Sequence, residues 1–137
     1  MLKDKKLLPA QAFEIADAIQ AAAAAALLLR RSLKSGLTDQ QYDALVARET
    51  ALRYDADRYR AVGITLLACN GEITTQGLVD AIDQATAAIN AIHDVSRILN
   101  ILSKIATLGI TIASGNAQAI LSQMSELKGV VKANTAV

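Results

Sequence analysis

Apolar side chains along this chain recur at intervals of three and four, and alternation of period two is rare. That spacing marks helices that bury one face. A first helix is predicted from Pro9 to about residue 34. Proline suits the first helical position, because the N–H it lacks has no partner there anyway. The unbroken alanine run from Ala21 to Ala26 is the strongest helix-forming stretch in the chain. Phe13, Ile15, Ala16, Ile19, Ala23, Ala26 and Leu27 trace an uneven apolar face. Arg30, Arg31 and Lys34 place positive charge at the helix C-terminus, and Gly36 is a good stop.

The second helix has the clearest start. Thr38 with Gln41 three residues later reads as a capping box, and Leu37 with Tyr42 as a hydrophobic staple. It is predicted over 38–69, ended by Asn70-Gly71. Leu45, Leu52, Ala56, Tyr59, Gly63 and Leu66 form its inward stripe, and Glu49, Arg53 and Asp57 a ladder of opposite charges.

A third helix is predicted over 74–113. Leu78, Ile82, Ala85, Ile89, Ile92, Ser96, Leu99, Ser103, Ala106 and Ile110 follow a 4-3-4-3 spacing, the seam of an antiparallel coiled coil. Unbroken, it would be about 60 Å long, although Gly109 and its β-branched neighbours could end it early. The fourth helix, over 116–132, follows Ser114-Gly115-Asn116. Ile120, Leu121, Met124, Leu127 and Val131 form its apolar face; Gln118, Ser122, Gln123 and Lys128 form its polar one. Short connections make consecutive helices antiparallel. The expected fold is all-α: one domain over 1–137, an elongated up-down-up-down four-helix bundle with coiled-coil-like seams and no strand of consequence.

Composition fits that picture. Hydrophobic residues make up 53% but aromatics only 3%, so the core is aliphatic, as closely packed helices prefer. Net charge is +1. Nucleic-acid binding needs a basic face that these totals do not supply. Locally, Lys3, Lys5, Lys6, Arg30, Arg31 and Lys34 outnumber Asp4, Glu14 and Asp17, a contrast too mild to define a partner. Lys3, Lys5 and Lys6 suit the start of a secretory signal, but Glu14 and Asp17 interrupt what should be its apolar stretch. The expectation is a cytoplasmic protein, unless export is signal-independent. The single Cys69 excludes an internal disulfide; it reads as a small apolar residue near a helix end.

Candidate chemistry is sparse. His93 is the one histidine, and Asp94 beside it points about 100° away on a helix. A di-iron bundle would want Glu three residues before the histidine, where Asn90 stands. Asp39 with Asp43, and Asp80 with Asp83, lie near helix N-termini, where the dipole favours negative charge. Neither catalysis, a metal nor a cofactor is expected. The run from Arg53 to Arg60 mixes tyrosine with charge. Tyr54 and Arg58 are of the types favoured at binding hot spots, against the plainer reading of a solvated, ion-paired helix face.

The stretch 95–113 stands apart. Ile98, Ile101, Leu102, Ile105, Leu108 and Ile112 populate faces beside the seam, and a helix apolar most of the way round is normally covered on most sides. Three readings compete: a central helix wrapped by the others, a protein interface, or a lipid contact. Arg97, Asn100 and Lys104 interrupt the span, so a permanent anchor is not expected. With Tyr54 and Arg58, those six residues are the candidate interaction surface. The function expected is a non-enzymatic helical interaction or structural protein, self-associating through the third and fourth helices or binding a helical partner. The alternative is a membrane-active helical protein, pore-forming or toxin-like, or the small partner that neutralises one.

Overall fold

The computed structural model describes residues 3–33, 36–69, 73–92 and 94–135, with the backbone alone for 3–5, 66–69 and 135. The fold is helical. Its described helices are α1 (Pro9–Ser32), α2 (Asp39–Val62), α3 (Thr75–Ala91), α4 (Val95–Ser114) and α5 (Ala117–Thr135). Two short strands, β1 (Lys3–Lys6) and β2 (Thr65–Cys69), pair antiparallel, with Lys6 opposite Thr65 and an irregularity between Lys3 and Lys5.

Several starts and stops follow the sequence signals. Pro9 opens α1. The Thr38 hydroxyl accepts from the Gln41 N–H at 3.1 Å, and the Gln41 side chain accepts from the Thr38 N–H at 3.0 Å. Asn116 accepts from the Ala119 N–H at 3.0 Å at the start of α5.

Two boundaries correct the expected four helices. The second helix stops at Val62, short of residue 69. Gly63 has φ of 77°, a conformation that residues with a Cβ rarely adopt. The β-branched Ile64 and Thr65 then favour extended backbone, and the Leu7 N–H donates to the Ile64 carbonyl at 2.9 Å beside the strand pair. Leu7, Ile64 and Ile73 are buried and belong to the core.

The third predicted helix is two helices. Asp94 is the N-cap of α4, its carboxylate accepting from the Ser96 N–H at 2.9 Å and the Arg97 N–H at 3.4 Å. A carboxylate on the first free N–H groups of a helix is a strong start signal. It resets the helical phase. Before the break the predicted seam holds: Leu78, Ile82, Ala85 and Ile89 are buried. Beyond it the seam falls away from the core. Ser96 and Ile110 are exposed, Leu99 and Ser103 are half-buried, and Ala106 alone is buried.

One continuous core draws on all five helices. Helix α1 packs on α2 and α3, α3 on α5, α5 on α4, and α4 on α2, so the helices close into a ring. Alanines on α1 (Ala12, Ala16, Ala22, Ala23 and Ala26 are almost wholly enclosed) let its neighbours approach closely. Helices α1 and α2 run antiparallel, since Arg30 meets Glu49 while Asp17 meets Arg60 at the other end. Helices α2 and α4 run parallel, since Arg48 donates to Ser103 at 2.9 Å and Tyr59, farther along, donates to the Gly109 carbonyl.

Candidate interaction surface

The six aliphatic residues singled out on α4 do not form a surface. Ile98, Ile101, Leu102, Ile105 and Leu108 have no exposed area, and Ile112 has 1%. They lie on the face that α4 turns toward α5, α2, α1 and α3. Their apparent excess came from carrying one helical phase from α3 into α4. With the phase reset at Asp94 they are the core stripe, at the usual spacings of three and four. The outward positions of α5 are polar: Gln118, Ser122, Ser125 and Lys128 are exposed.

Tyr54 and Arg58 are exposed, and with them lies the residue displaced by the phase reset, Ile110. Tyr54 is 67% and Ile110 61% exposed. Both line a groove of about 650 Å³ between α2 and α4, along with Ala47, Thr50, Ala51, Asp55 and Arg58. Tyr54 and Arg58 are one turn apart on α2, and small side chains on the preceding turns leave the groove open.

Asp55 lies in the wall of this groove, 3% exposed, and its Oδ2 has no hydrogen-bond partner. It occupies a core position by spacing, between Leu52 and Tyr59, and so faces α4. Space for it exists because residue 109 is glycine: a Cβ there would stand 2.8 Å from Asp55 Oδ2. Burial pushes the Asp55 carboxyl above the ordinary carboxylate range, with the Arg58 charge pulling weakly the other way. Burial also raises the Tyr59 hydroxyl, and the neighbouring Asp55 adds to that. Tyr59 therefore stays a neutral donor to the Gly109 carbonyl. Asp55, Tyr59 and Gly109 together fix how α2 sits on α4 beneath the groove.

No family model matches this chain, and no curated protein or solved structure matches it either.

A further charged cluster is centred on the buried Glu49. Glu49, 8% exposed, accepts from Arg30 at 2.9 Å and from Arg53 at 3.1 Å. Arg30 also donates to the Tyr42 hydroxyl at 3.2 Å and lies 5.6 Å from the centre of that ring. The Glu49 hydrogen bond, followed by that of Tyr42, raises the Arg30 pKa. Of the predicted ladder, Glu49–Arg53 forms at 3.1 Å, whereas Asp57 pairs with Arg60 at 3.7 Å. The Arg30 contacts clamp α1 to α2. Among the described residues no group of His, Cys, Asp and Glu is arranged to hold a metal ion. His93 and the Cys69 side chain lie outside the described residues.

The expected Tyr54 and Arg58 are exposed along this groove, which Asp55 and Ile110 also line and which Gly109 adjoins through Asp55, three residues the sequence reading did not place there. Asp55 was legible: Leu52, Asp55, Ala56 and Tyr59 share one face by their spacing. A carboxylate on a core stripe signals a special contact.

Proposed function

We propose that this protein is a non-enzymatic helical interaction protein that associates through the α2–α4 face around Tyr54, Arg58 and Ile110. The observation that carries this reading is the groove itself. An aromatic ring, an arginine and an isoleucine are displayed together on a surface floored by alanine and threonine. Tyrosine and arginine anchors beside small residues suit a helix that packs into a groove. Self-association is the simplest form, and the surface moves from the inner face of α4 to its Ile110 edge. A lone exposed side chain such as Leu28 or Val62 needs no such account.

The test is sedimentation of the full chain over a range of concentrations, for the wild type and for a variant carrying Tyr54→Ala and Ile110→Asp. The expected result is a mass that rises with concentration in the wild type and stays monomeric in the variant, with helicity retained in both. A wild type that remains monomeric throughout contradicts the reading.

A second reading has its own support. Helices α1 and α4 are each long and apolar enough to cross a membrane by length and composition. In this fold both lend their apolar faces to the core, so contact with lipid requires the ring to open. Dye release from anionic phospholipid vesicles would favour this membrane-active reading over the first. Intact vesicles would remove it.

A further inference from the structure

The exposed side of α2 is self-complementary. Asp43, Ala47, Thr50, Ala51, Tyr54 and Arg58 fall within an arc of about 100° at the helical rotation per residue. We propose that α2 packs antiparallel against α2 of a second copy of this chain, about a two-fold axis between Thr50 and Ala51. This inference rests on the association reading above and adds its partner and register.

A two-fold contact joins each residue to its mirror position along the helix. An axis between Thr50 and Ala51 sets those small residues at the crossing, where helices approach most closely. It sets Tyr54 over Ala47 of the second copy, a large side chain against a small one, twice. It sets Arg58 against Asp43 of the second copy, a cation against an anion, again twice. No other placement of the axis satisfies size and charge together on this stripe. Tyr54 then covers the groove shared with Ile110.

The charges within the chain support this pairing. The other arginines of α2 are held by their own molecule: Arg48 by Ser103, Arg53 by Glu49, Arg60 by Asp17 and Asp57. Among the described residues, Arg58 makes no hydrogen bond or ion pair, and neither does Asp43; both are exposed. Arg58 acts on the buried Asp55 through its charge alone, and the two-fold brings it onto Asp43, which with Asp39 is one of two exposed acids of α2 that make no ion pair or side-chain hydrogen bond.

The experiment reverses these charges singly and mixes the products. Arg58→Glu leaves acid facing acid at both ends of its homodimer, and Asp43→Arg leaves base facing base. Each variant is expected to self-associate roughly tenfold more weakly than the wild type, by sedimentation at low salt. An equimolar mixture of the two restores both pairs in a heterodimer and is expected to regain the dimer mass. Circular dichroism of each variant alone checks that the fold is kept. Dimers that survive either single reversal unchanged, or a mixture that stays monomeric, overturn the register. Should the wild type still associate in an Ile110-dependent way, self-association through this face stands without it. A wild type that never associates overturns both.

Discussion

At the scale of single residues, the most informative contact is that between Asp55 and Gly109. A side chain at 109 would meet the buried carboxylate at 2.8 Å. Alanine in a helix interior is favoured over glycine by about 1 kcal/mol, whereas forcing a methyl group into a filled site costs about 1–3 kcal/mol. The clash falls on the far end of the Asp55 side chain, so in the wild type Gly109→Ala is expected to lose part or all of this helix preference. In an Asp55→Ala background only the helix preference remains, and the same change should stabilise by about 1 kcal/mol. Urea unfolding of the four proteins checks this, and an equal change in both backgrounds would contradict it.

Asp55 also makes stability depend on pH. Its unfolded carboxyl titrates near 3.8, and burial raises the folded value. Between the two, the folded chain keeps a proton that the unfolded chain has released. The resulting stabilisation is complete below pH 3.8 and is lost as pH rises through the folded value. Asp55→Asn, which cannot ionise, should gain on the wild type as pH climbs from 3.8 to neutrality. Thermal melts across that range would show a widening gap; a constant difference would speak against a titrating Asp55.

At the scale of elements, the helical character and most helix starts were legible because their signals are local. Thr38 and Gln41 bond each other's backbone, Pro9 opens α1, and α4 ends at Ser114 beside Gly115. The division between α3 and α4 was obscured by the helix periodicity that revealed the rest. Ile92, Ser96 and Leu99 continue a seam that looks valid on paper, and Asp94 drew notice only as a neighbour of His93. Capping by Asp94 is also local, but it competes with a longer pattern, and a hydrophobic spacing cannot say where its phase is reset. The stop at Gly63 was hidden in the same way, since Gly63 fits the stripe of Tyr59 and Leu66. Neither strand carries an alternating pattern, and their pairing joins residues about sixty apart in the chain, beyond the reach of any local signal. Tyr54 and Arg58 were read from residue type and are exposed, while six isoleucines and leucines were read from a phase that the chain abandons.

At the scale of the whole molecule, closing the ring is what accommodates the apolar stretch. Five helices offer α4 more neighbours than four long ones would, so its aliphatic face is enclosed by its own chain. Among the described residues, what remains outside includes the groove between two parallel helices, with its anchors on α2 and α4, and separate exposed side chains such as Leu8, Phe13, Leu28 and Val62. Association through that groove would leave the core untouched. The two faces of α4 should then respond differently to the same substitution. The most direct measurement is the denaturant midpoint of Ile105→Asp beside that of Ile110→Asp. Ile105 has no exposed area, and Ile110 is 61% exposed. An unpaired charge at 105 should cost about 4 kcal/mol or more and abolish cooperative unfolding. At 110 the cost to the monomer should stay within about 0.5 kcal/mol. Equal losses at the two positions, or an Ile105→Asp protein that keeps its helices and its midpoint, would contradict the enclosure of α4 by its own molecule.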